Sequence, residues 1–208
     1  MRAIASWFLG TVIVCSIGCA PSEYPLFEAD DVIFDPALLG TWRSEEEEDT
    51  WRVQEKRDAV YSIASGDDSS RVLYEAQLAE LGEYRFLNIS IPAVGDSAGG
   101  FHMISRIWVE EDEIRIGILS PSWLRYMRSQ GKVAIDFVGL EERLRIPRNL
   151  LKLALAYNGM DLPVEQVLEQ SIYLTSPTEA IRRMAIRYAE DPEAFPISIV
   201  LRRIEDSG

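Results

Sequence analysis

Residues able to do chemistry are few in this chain, and their scarcity is itself informative. One histidine, His102, serves all 208 residues. Set beside a carboxylate it could act as a general base. No G-x-S-x-G or other nucleophile signature accompanies it, so a histidine that only hydrogen-bonds near a strand end is the plainer expectation. A single histidine also excludes multi-histidine metal sites within one copy. The two cysteines, Cys15 and Cys19, both fall in the first twenty residues. The rest of the chain therefore has no thiol for a disulfide, a zinc–thiolate site or a nucleophile. The run Glu45-Glu46-Glu47-Glu48-Asp49 could attract calcium or a basic partner. It lacks the spaced Asp/Asn and Gly of a calcium loop, and a solvated hairpin loop is expected. Trp51, Trp108 and Trp123, with His102, could line an apolar ligand pocket, with ordinary core packing as the competing reading. No catalytic residue, metal site or cofactor is expected.

The elements that must position these residues are mostly strands. Asp35-Pro36-Ala37-Leu38-Leu39 reads as a short helical turn running into a first strand that carries Gly40 and Trp42. Short runs of period two follow. Trp51 and Val53 alternate with Arg52 and Gln54, and the run Ala59 to Ile63 precedes a turn at Gly66 to Ser70. Val72, Tyr74, Ala76 and Leu78 alternate with polar neighbours up to the break at Gly82. Tyr84 to Ile91 is apolar on both parities, which predicts a more buried strand. After a Gly/Ser/Asp-rich loop at 92–100, Phe101 to Val109 and Ile114 to Ile118 form a hairpin around Glu111-Asp112. About eight short strands at this spacing imply a sandwich or an up-and-down barrel.

Helices are expected in the second half. Ser120-Pro121 is an N-cap followed by Pro at N1, and Gly131 is the stop. Pro147 to Tyr157 and Asp161 to about Gln170 read as two more, and Ser176-Pro177-Thr178-Glu179 as a capping box. The pair at 147–170 has a helix-turn-helix outline, but an acidic chain repels phosphate backbones and no nucleic-acid partner is expected. Ile172 to Leu174 is a short strand, and Ile197, Ile199 and Leu201 form a last strand able to close the sheet. The fold class is α+β, mainly an antiparallel β-barrel with several helices in the C-terminal half.

The start of the chain reads as an address. Met1-Arg2 precedes a short apolar run from Ile4 to Val14 that ends in Ser16-Ile17-Gly18-Cys19. This is the layout of a secretory signal rather than a membrane span. The formal net charge of -13 becomes -14 when the leader and its one arginine are removed. Residues 1–18 are thus a signal peptide, 19–34 a tether containing Pro21, Pro25 and four acids, and 35–208 one domain with a helical insertion at about 132–171.

Gly18-Cys19 resembles the lipobox of bacterial lipoproteins, with Ser16 departing from the usual aliphatic residue. The resemblance implies a diacylglyceryl group on Cys19, cleavage after Gly18 and acylation of the new amine. Several acyl chains anchor stably where one is marginal. Ala20 in place of Asp implies the outer membrane, with the domain facing the periplasm. Leu39-Gly40-Thr41-Trp42 resembles the opening G-x-W of lipocalin-type barrels. That family places a basic residue over the Trp; Arg202 or Arg203 could serve, and Arg202 is taken here with Gly40 and Trp42 as structural. The opening, together with Leu81-Gly82-x-Tyr84-x-Phe86-Leu87 and Leu174-Thr175-Ser176 to Glu179, resembles a group of bacterial lipocalin-like lipoproteins that carries no known activity.

Two functions follow as expectations. The first is a non-enzymatic envelope lipoprotein whose barrel binds an apolar small molecule or an envelope protein, with the bilayer as a partner through acylated Cys19. The second is an envelope hydrolase using His102 with a carboxylate.

Overall fold

The computed structural model describes residues 20–45, 50–65, 72–91, 101–139, 142–143, 163, 165, 167 and 171–204. The leader with Cys19, residues 46–49 of the acidic run, the turn at 66–71, the loop at 92–100 and the expected helix at 147–157 lie outside the described residues. Eight antiparallel strands close into a barrel. In chain order they are β2 (Gly40–Ser44), β3 (Thr50–Arg57), β4 (Val60–Ser65), β5 (Val72–Leu81), β6 (Tyr84–Ile91), β7 (Phe101–Val109), β8 (Glu113–Ile118) and β11 (Ile197–Arg203). Each of β2 to β8 pairs with the next, and β11 fills the gap between β8 and β2. The last strand therefore closes the sheet, as the alternation of Ile197, Ile199 and Leu201 suggests. β1 (Val32–Ile33) pairs with β5 at Leu78 and Ala79, beyond the last β4 partner of β5.

Two apolar layers hold this barrel. The inward faces contribute Trp42, Val53, Tyr61, Ile63, Leu78, Leu87, Ile107, Ile116 and Leu201, all buried. The opposite parity of β5 to β7 presents Ala79, Leu81, Phe86 and Ile104 outward, into a second core. α1 (Pro121–Ser129) covers that core with Trp123, Leu124 and Met127, and α2 (Thr178–Arg187) with Ile181, Met184 and Ala185. This outer cover is why β6 is apolar on both parities. β9 (Phe137–Gly139) and β10 (Ile172–Leu174) form a small antiparallel pair beside the helices.

Three local expectations need correction. The described residues hold two complete α-helices, fewer than the several expected of the C-terminal half, with Glu142, Arg143, Glu165 and Val167 helical besides; the last two fall within the helix expected from Asp161 to about Gln170. The helical insertion expected over 132–171 begins instead with an irregular stretch and β9, although Val167 does donate to the Pro163 carbonyl in helical fashion. Ser176 does not cap α2: Pro177 is the N-cap, and the buried Ser176 hydroxyl accepts from the Asp136 N–H at 2.8 Å. Ser120, by contrast, caps α1 by accepting from the Trp123 N–H.

The segment expected to be a tether is docked from its first described residue. Ala20, Ser22, Leu26 and Phe27 are buried. Ser22 exchanges two backbone hydrogen bonds with His102 on β7, at 2.8 and 2.9 Å. Its neighbours Pro21 and Glu23 bond to Leu174 on β10. Further on, Thr178 donates to the Pro25 carbonyl and Arg182 pairs with Asp31 at 2.8 Å. Leu26 and Phe27 each bring about 1.5–3 kcal/mol of apolar burial, while residues 21–23 satisfy strand edges that would otherwise be open. A segment with no period of its own is thus held by what it covers.

Candidate functional site

Strand parity sorts the expected pocket residues onto different surfaces. Trp51 pairs with Trp42 and faces the barrel interior. His102 and Trp108 have the parity of Ile104 and Arg106 and lie on the outside of β7, and Trp123 belongs to α1. The four residues do not converge. The interior itself is filled: among the described residues its cavity, lined by Trp51, Tyr61, Leu87, Ile107 and Ile116, measures about 20 Å³. That admits roughly one water and no ligand.

One end of the barrel is closed by a compact assembly around Trp42. The ring is fully buried, and its Nε1–H donates to the Leu38 carbonyl at 3.0 Å. The residue over the ring is Arg203, its guanidinium 4.2 Å from the ring centroid. Arg203 also donates to the carbonyls of Leu39 at 3.0 Å and Ala37 at 2.8 Å. Arg202, taken above for that role, instead points outward and pairs with Glu45 and Glu113. The register explains the difference: Arg203 lies opposite Trp42, so the two share a face, and Arg202 has the other parity. Gly40 has φ +130°, and a Cβ there would stand 2.9 Å from Arg203 Nη1. The spacing of Gly40 and Trp42 is therefore a backbone requirement as well as a motif.

His102 is surrounded by amide and hydroxyl groups rather than by an acid. Its Nδ1 lies 3.0 Å from Asn88 Nδ2 and 3.5 Å from Ser90 Oγ. If the Asn88 amide donates, Nδ1 is the acceptor and the ring proton sits on Nε2. Burial holds the imidazole pKa below its ordinary value. An acid–base relay needs the hydroxyl on one ring nitrogen and an orienting acceptor on the other. Here both neighbours meet the same nitrogen, and no ion pair or hydrogen bond joins His102 to a carboxylate among the described residues. Nor do three His, Cys, Asp or Glu side chains gather into a metal-binding group among those residues.

Trp108 and Trp123 serve as fasteners. The Arg106 guanidinium lies 4.5 Å from the Trp108 ring centroid and 5.0 Å from that of Tyr84, and it donates to the Ala189 carbonyl just past the end of α2. A cation there also complements the negative end of the helix dipole. Trp123 Nε1 donates to Asp191 at 2.9 Å, and its ring meets Tyr188 edge-on at 4.9 Å. These contacts lock both helices onto the barrel.

A much larger concavity than the interior one is on the outside, between residues 132–135 and α2. It holds about 440 Å³ and is lined by Val133, Ile135, Ala180 and Met184 together with Lys132, Arg183 and Arg187. Sequence reasoning passed over these cations. Arg183 and Arg187 are one helical turn apart on α2, an i, i+4 spacing that can be read from sequence. The stretch opposite, Lys132 to Ile135, carries no helical or turn signal, so its placement beside them comes only from packing. The chain has no significant match to known family models, curated proteins or solved structures.

Proposed function

We propose that this chain is a non-enzymatic, lipid-anchored protein of the bacterial cell envelope that binds a protein partner on the outside of a filled, lipocalin-like barrel. The observation that carries the reading is the packing of the interior: among the described residues it has room for about one water, which makes the barrel a scaffold whose binding falls to its surface. The Gly40, Trp42 and Arg203 assembly supports kinship with lipocalin-type barrels. The apolar leader ending in Gly18-Cys19 supports acylation of Cys19 and residence in the outer membrane, facing the periplasm. Because Ala20 is already buried, the anchor would join the fold without a free spacer and hold the domain close to the bilayer.

Two measurements test this. Labelling cells with a palmitate analogue should mark the wild type and not Cys19→Ala; equal labelling overturns the anchor. Native mass spectrometry of protein extracted from membranes should show the acylated chain with no further small molecule. A retained apolar ligand whose loss alters Trp51 fluorescence would overturn binding on the outside.

A further inference from the structure

We infer that the groove between residues 132–135 and α2 receives an extended, acidic peptide segment of the partner, a conclusion that rests on the surface-binding reading above. Charge is the first argument. Acids outnumber Lys and Arg by 34 to 21 in this chain, yet the groove is lined by Lys132, Arg183 and Arg187 and by no carboxylate. Arg183 has only an exposed pairing with Glu179 one turn away, at 3.3 Å. Lys132 and Arg187 have no ion pair among the described residues; the Arg187 guanidinium rests over the Tyr188 ring at 5.2 Å. Three cations without strong internal partners on an acidic protein are complementary to an anionic guest.

Backbone is the second argument. Residues 132–136 lie in no helix, turn or strand ladder, and exposure alternates: Val133 and Ile135 are buried, and Lys132, Ala134 and Asp136 are exposed. That is the pattern of a half-buried strand. Among the described residues, the N–H groups of Val133, Ala134 and Ile135 have no hydrogen-bond partner, whereas Lys132 and Asp136 at either side do. Free backbone donors on a segment beside a groove are what β-strand addition uses, in which a guest's main chain supplies affinity and its side chains supply specificity. Apolar side chains of the guest would meet Val133, Ile135 and Met184, and its acids would meet the three cations. A concave site with free backbone donors suits a strand better than a planar bilayer does.

The test uses the full mature chain in detergent micelles and a fluorescein-labelled decapeptide of alternating Glu and Val. Fluorescence anisotropy should show saturable binding that weakens with salt and is absent for the Lys-for-Glu peptide. The double variant Arg183→Glu/Arg187→Glu, both on the exposed side of α2, should bind about tenfold more weakly or worse, as the loss of two partly screened charge pairs predicts. Equal affinity of wild type and the double variant, or equal affinity for both peptides, overturns the proposal. So does charge-dependent capture of phosphatidylglycerol vesicles with no affinity for the peptide, which would assign the groove to the membrane. A photo-crosslinking residue at Ala134 and another at Gln54, on the outer face of β3, separate this proposal from the reading beneath it. Adducts in cells at Gln54 alone sink the groove and leave surface binding standing. Adducts at neither position sink both.

Discussion

Arg203→Met is the sharpest perturbation of the barrel closure. Methionine keeps an apolar stem over Trp42 and removes every donor. The wild-type guanidinium stacks at 4.2 Å from the ring and donates to the carbonyls of Leu39, Ala37 and Glu111 at 3.0, 2.8 and 3.2 Å. A cation–π contact is worth about 0.5–2 kcal/mol depending on desolvation, and each hydrogen bond about 0.5–1.5 kcal/mol net. Arg203 is half-buried, so the lower ends apply and the loss should be about 2–3 kcal/mol. With a urea slope of about 2 kcal/mol per molar, the midpoint followed by far-ultraviolet circular dichroism should fall by about 1–1.5 M. Arg202→Met is the control: its side chain faces solvent and pairs with exposed Glu45, so its midpoint should stay within error of wild type. Gly40→Ala sharpens the test, because its added Cβ would crowd Arg203 Nη1 and should cost less in the Arg203→Met background than alone. Equal midpoints for Arg202→Met and Arg203→Met would refute the closure argument.

Four further outcomes are expected. Trp42→Ala, which empties a fully buried ring position, should lower stability by about 3–5 kcal/mol, read from the same urea curves. Gly117→Ala places a Cβ 2.6 Å from the Phe195 carbonyl oxygen and should cost about 1–3 kcal/mol, seen as a lowered thermal midpoint. Ala59→Gly should raise the midpoint, since Asp58 and Ala59 form a two-residue hairpin turn with φ of 44° and 60°; relief of left-handed strain exceeds the added chain entropy, for a gain of about 0.5 kcal/mol. His102 should titrate below the usual imidazole value near 6.5, readable from the one histidine resonance in a proton NMR spectrum. Because burial lowers the folded pKa, its contribution to stability is present above the unfolded value and drains as pH falls below it; a midpoint at or above 6.5 would contradict the burial.

The barrel was legible because period-two alternation is a local signal. Each of Trp51/Val53, Tyr74/Ala76/Leu78, Ile114/Ile116 and Ile199/Leu201 marks one inward face, and closure by the last strand follows from having enough such faces to pair. Alternation could also have chosen Arg203 over Arg202, since inward Leu201 fixes the parity two residues on. The capping of α1 by Ser120 was readable for the same local reason. What tertiary structure alone decided is how non-local surfaces meet. Residues 20–34 have no period, and their docking depends on an outer face of β5 to β7 that is far away in the chain. Ser176 looked like a cap but serves the Asp136 N–H, forty residues distant. Trp51, His102, Trp108 and Trp123 share a chemistry that suggests a pocket, yet strand parity and α1 send them to different surfaces. The cationic groove arises where residues 132–135, which carry no periodic signal, meet α2. A periodic pattern encodes which face of an element is apolar, but not which partner covers it, because that choice is set by the packing of all the elements at once.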